Sequence, residues 1–113
     1  MASEEDVLAE LMPEEPEVHG LVALMEIQAS RLRARTAADG TPILLLDQDR
    51  GRWDRLLIRR GLAALARAEV LRPERGPYTL QAAIAACHAR AAVAADTDWP
   101  RIVALYSALL ALN

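Results

Sequence analysis

Apolar residues recur at three- and four-residue spacing in five stretches of this chain, and prolines or small polar turns punctuate them. That spacing lines one side of a helix, because a turn takes 3.6 residues. Hydrophobic residues make up 53% of the 113, about two thirds of them alanine and leucine, and aromatics are only 4%. Alanine and leucine are the strongest helix formers, so the fold class expected is all-α. A chain of 113 residues suits one domain with a modest core, here the whole of 1–113.

Val7, Leu8, Leu11 and Met12 form the first stripe, with Ser3 placed as its N-cap and Pro13 as its end. Pro16 then restarts the chain, since proline is tolerated in a first helical turn. Leu21, Leu24, Met25, Gln28 and Leu32 predict a long helix over 16–35. Asp39-Gly40 is a hairpin signal, but only the Ile43 to Leu46 side reads as extended, so a small β-hairpin or ordered loop is expected there. Asp47 or Asp49 offers the next N-cap, and Trp53, Leu56, Leu57, Leu62, Leu65 and Ala68 mark a helix to about Leu71. Gly61 within that stripe points to a close helix approach. Pro77 opens a helix to about Ala92, with Leu80, Ile84, Cys87 and Ala91 on one side. Thr97 or Asp98 caps a last helix, whose apolar face is read as Trp99, Ile102, Val103, Tyr106, Leu109 and Leu112.

Trp99, Ile102, Val103 and Tyr106 match the opening of the tetratricopeptide pattern with its glycine replaced, and 11–17 resembles the junction between two such repeats. Pro13 and Trp99 lie 86 positions apart, too many for one unit of about 34 residues. A tetratricopeptide-like array of about five helices with an inserted hairpin is therefore expected. Large aromatics at helical spacing usually pack in cores, which places Trp53, Trp99 and Tyr106 inside. No helix follows the last one to cover it, so Leu105, Leu109, Leu110 and Leu112 are a candidate self-association patch, with a homodimer as its product.

Candidate chemistry is sparse. His19, Cys87 and His88 lack the paired spacing of a zinc site, and no phosphate loop, dinucleotide fingerprint or nucleophile elbow occurs. No catalytic, cofactor-binding or metal-binding residue is expected, and the chain does not read as an enzyme. Asp47, Asp49 and Asp54 fit helix capping better than a calcium loop. Charge is segregated: residues 1–26 carry eight acids and no base, and residues 27–75 carry eleven arginines against six acids. Arg50, Arg52, Arg55, Arg59 and Arg60 cluster around Trp53 as a candidate interaction face. Basic clusters can hold nucleic-acid phosphates, but the acidic opening favours ion pairing. Arginine supplies every one of the 13 basic side chains, a composition suited to a GC-rich bacterial genome. A single cysteine, no secretory opening and apolar runs far short of a membrane span predict a cytoplasmic, non-membrane protein.

Three phrases carry a family resemblance: 45–54 (Leu-Leu-Asp-Gln-Asp-Arg-Gly-Arg-Trp-Asp), 76–86 (Gly-Pro-Tyr-Thr-Leu-Gln-Ala-Ala-Ile-Ala-Ala) and 96–99 (Asp-Thr-Asp-Trp). With 11–18, 20–25 and Asp39-Gly40, they resemble the C-terminal helical extension of bacterial extracytoplasmic-function sigma factors of the sigma-70 family. The resemblance implies a C-terminal fragment of a larger sigma factor, with the promoter-binding regions absent here. It further implies a regulatory, protein-interaction domain in transcription initiation. Its partners would be RNA polymerase or the rest of the sigma factor, with DNA met only through the upstream regions. The alternative is a free-standing helical module that binds a peptide or nucleic acid and shares only the fold.

Overall fold

The computed structural model describes residues 4–112, and all regular structure among them is helical. Five α-helices run α1 (Glu4–Leu11), α2 (Pro16–Ala29), α3 (Arg55–Leu71), α4 (Pro77–Arg90) and α5 (Trp99–Ala111). The all-α array is thus established. Ser3, expected as the first cap, lies outside the described residues.

α2 is the central element, packed against α3 on one side and α4 on the other, while α1 rests on α2 and α5 on α4. The smallest dimension is 23 Å, about two helix diameters. Two interfaces set this arrangement. At Gly61 of α3 an added Cβ would lie 2.6 Å from Ile27 Cγ1 and 3.2 Å from the Ala23 carbonyl oxygen, so α3 meets α2 where only a glycine fits. At Gly20 of α2 a Cβ would fall 2.8 Å from the Thr79 backbone nitrogen, which brings α4 equally close. Ile27 and Leu65 fill the first interface, and Leu80, Ile84, Ile102 and Leu105 continue the core through α4 to α5.

The helix expected over 16–35 is shorter. α2 ends at Ala29, where the Ser30 hydroxyl turns back to donate to the Ile27 carbonyl and the Ser30 carbonyl accepts Asp54 N–H at 2.7 Å. A competing local hydrogen bond of this kind diverts a helix. One 3₁₀ turn follows at Leu32–Ala34, burying Ala34 and leaving Leu32 exposed. The Asp39-Gly40 signal produces a hairpin-like loop with a single antiparallel bridge, Thr36 to Pro42. Gly40 sits at φ +87°, and Asp39 accepts Thr41 N–H at 3.0 Å. No strand forms among the described residues.

The central helix starts later than expected, too. Asp49 accepts Gly51 N–H at 2.9 Å and so caps only a 3₁₀ turn, Arg50–Arg52. Asp54 is the true N-cap of α3, accepting from Leu56 N–H at 3.0 Å and Leu57 N–H at 3.2 Å. Trp53 is therefore not a helical residue but the joint before the helix, buried to 3% exposure with its indole N–H donated to Gln48. α4 stops at Arg90, two residues before the expected end, where Ala91 turns extended. Asp98 caps α5 by accepting Arg101 N–H, as one of the two expected candidates.

Candidate functional site

The arginine cluster is divided by the fold among unlike tasks. Arg50 is buried, and its Nη1 donates to the carbonyls of His88 at 2.8 Å and Ala91 at 3.0 Å. Those are orphan acceptors at the C-terminal end of α4, where a cation also meets the negative end of the helix dipole. The same guanidinium stacks over Trp53, 4.5 Å from the ring centroid. Arg50 is thus a structural clamp joining the 45–54 segment to α4. Arg55 donates back to the Arg50 carbonyl at 3.3 Å. Arg60 reaches the acidic first helices, pairing with Glu26 at 2.9 Å and Asp6 at 3.3 Å. Arg52, Arg55, Arg59 and Arg60 are exposed while Arg50 is buried, so these five side chains do not act as one face.

α5 corrects a second expectation. Trp99 and Tyr106 are not core residues: they are 45% and 51% exposed, and Val103 and Leu110 beside them are 63% and 70% exposed. The helix docks on α4 through Ile102 and Leu105, both buried, with Leu109 partly covered. Leu105 therefore faces inward and cannot belong to a surface patch, while Leu110 and Leu112 are exposed. The reason lies in register. Positions 102, 105 and 109 form one stripe, and 99, 103, 106 and 110 form a second stripe about 100° further round, so the apolar arc is wider than α4 can cover. Both stripes stand in the sequence, but only the docking of α5 on α4 determines which is buried. The exposed stripe is anchored at its start, where the Trp99 ring meets the His88 imidazole edge-on at 5.6 Å.

Another polar contact had no sequence signal. Glu17 on the first turn of α2 places its carboxylate at the start of α4, accepting from Tyr78 N–H at 2.8 Å, Thr79 N–H at 3.2 Å and the Thr79 hydroxyl at 2.7 Å. Gly76, the residue at the N-cap position, has no side chain to do this. Glu17 looks in sequence like any acid in a first turn.

The molecule is thus defined as an all-α helical array with a wide, half-covered terminal helix. The chain belongs to the family of unknown function DUF6596, whose profile matches residues 4–69. Over 104 residues it is 51% identical to an uncharacterized protein of Rhizobium meliloti (strain 1021), a match covering 91% of this chain and 24% of that protein. The chain thus spans about a quarter of the length of that relative. No solved structure matches it.

Proposed function

We propose that this chain is a regulatory, protein-interaction domain of an RNA polymerase sigma factor, acting in transcription initiation by contact and not by catalysis. The carrying observation is the stripe of Trp99, Val103, Tyr106 and Leu110, four large apolar side chains left in water along one helix face. Contiguous apolar surface of this kind marks interaction sites, and tryptophan and tyrosine are the residues that most often anchor them. The class of partner comes from the resemblance of 45–54, 76–86 and 96–99 to the sigma-factor extension. A match to only 24% of a longer relative supports a module within a larger chain. No helix among the described residues is long and apolar enough to cross a membrane, which suits a partner in solution.

The test is capture of purified RNA polymerase core enzyme by the immobilised 113-residue chain, beside capture of the promoter-reading regions of a sigma factor supplied in trans. Binding to either, weakened at least tenfold by the paired change Val103→Asp and Leu110→Asp, is expected. Binding to neither, or binding indifferent to that change, overturns the reading.

A further inference from the structure

A cleft of about 300 Å³ opens between α2, α4 and α5, with Leu45 at its edge. Its polar lining is Arg31, Gln28, Gln81, His88 and Tyr106, and no carboxylate is among the lining residues. Arg31 projects from the end of α2, where the chain leaves the helix, and its Nε is buried with no hydrogen-bond partner. His88 from α4 is in the same condition at Nδ1. Arg50, outside the lining but close enough to act on both through its charge, also leaves its Nη2 unpartnered. Two nitrogen-bearing side chains of the lining, Arg31 and His88, therefore each hold a buried polar atom unsatisfied, and none of the ion pairs formed among the described residues involves them.

The electrostatics agree with the geometry. Burial first, and then the charges of Arg35 and Arg50, hold the Arg31 pKa below its ordinary value. Burial, followed by Arg31 and Arg50, does the same to His88. Proteins seldom leave buried polar atoms unmet or a half-buried guanidinium in a cleft without a counter-charge. The rest of the wall is apolar, made by Leu24, Ile84 and Leu109. A volume near 300 Å³, at about 30 Å³ per water-sized group, holds roughly ten non-hydrogen atoms.

We propose that this cleft binds a small organic carboxylate with an aliphatic body, its carboxylate on Arg31 and its chain along Leu24, Ile84 and Leu109. The guanidinium offers a planar fork that matches a carboxylate with two parallel hydrogen bonds. Neutral His88 and the amides of Gln28 and Gln81 complete the polar end without adding an opposing charge. An inorganic anion leaves the apolar wall unused, and an aliphatic alcohol leaves the guanidinium unmet. The site meets the exposed stripe on α5 at Tyr106, which borders both, and at His88, whose ring touches Trp99; it stands whether or not the chain contacts RNA polymerase.

The experiment is a titration of the isotope-labelled 113-residue chain followed by amide and side-chain nuclear magnetic resonance, with hexanoate, 1-hexanol and inorganic phosphate as probes. Hexanoate is expected to shift the signals of Arg31, His88 and the 84–88 turn saturably, with a Kd on the order of 1 mM for so small a ligand. Hexanol and phosphate are each expected to bind at least tenfold more weakly. Arg31→Gln should weaken hexanoate at least tenfold and Arg31→Lys less, while Arg52→Gln leaves it unchanged. The proposal is overturned if hexanoate moves none of these signals, if phosphate or hexanol binds as tightly as hexanoate, or if Arg52→Gln weakens binding as much as Arg31→Gln. The three-probe comparison on the unmodified chain decides the matter even where a variant at Arg31 fails to fold.

Discussion

Removing the Glu17 carboxylate should unfasten α4 from α2. Its two oxygens satisfy Tyr78 N–H, Thr79 N–H and the Thr79 hydroxyl, and Thr79 is only 2% exposed. In Glu17→Ala the lost N-cap costs about 1 kcal/mol. The lost anion at the positive end of the helix costs about 0.5 kcal/mol more. Leaving the buried hydroxyl without its acceptor costs about 1.5 kcal/mol. The total is about 3 kcal/mol, a large part of the stability of a domain this size. Urea unfolding followed by circular dichroism at 222 nm should place the midpoint about 2 M lower, taking a slope of roughly 1.5 kcal/mol per molar. Glu17→Gln keeps the shape and one acceptor, so about half that loss is expected. The decisive measurement is the cycle with Thr79→Ala, in which the two changes should couple by about 1 kcal/mol. A loss under about 0.5 kcal/mol for Glu17→Ala, or losses that simply add in the double variant, would refute the cap.

Arg50→Met should cost about 3 kcal/mol in the same assay, because two α4 carbonyls lose a charged donor, whereas Arg52→Met should stay within about 0.5 kcal/mol. Trp53→Ala should cost about 4 kcal/mol and Trp99→Ser far less, since the first ring is buried and the second is half exposed. His88 titrates with its folded pKa below the ordinary 6.5, chiefly through burial, so the unfolded chain takes up the proton first. Stability should accordingly be full above about pH 6.5 and decline as the pH falls from there toward the folded value; thermal melts of His88→Gln should lack this component.

Much of the helical architecture was legible because it depends on local chemistry. Pro16 and Pro77 mark helix starts through their missing N–H, Gly40 marks the turn through its positive φ, and Gly61 marks a close approach through its missing side chain. Trp53 was legible as a core residue, although the helix cap beside it was placed at Asp47 or Asp49 and lies at Asp54. Three acids so close together differ little in propensity, and the tie of Asp54 N–H to the Ser30 carbonyl, a contact distant in sequence, is invisible to local capping rules. The arginine cluster was legible only as charge. Nearness in sequence did not reveal that Arg50 turns inward to α4 while Arg60 turns to α1 and α2, because their partners lie 34 to 54 residues away.

By itself the sequence determined an all-α chain of five helices broken at the right prolines, since helix propensity, periodicity and capping act within a few residues. Tertiary structure alone decided that Glu17 caps a helix 61 positions on, that Arg31 and His88 share a cleft without a counter-charge, and that Trp99 and Tyr106 face water. The physical reason is the same in each case. A helix presents several faces of similar polarity, and which of them is buried is set by the neighbours it packs against.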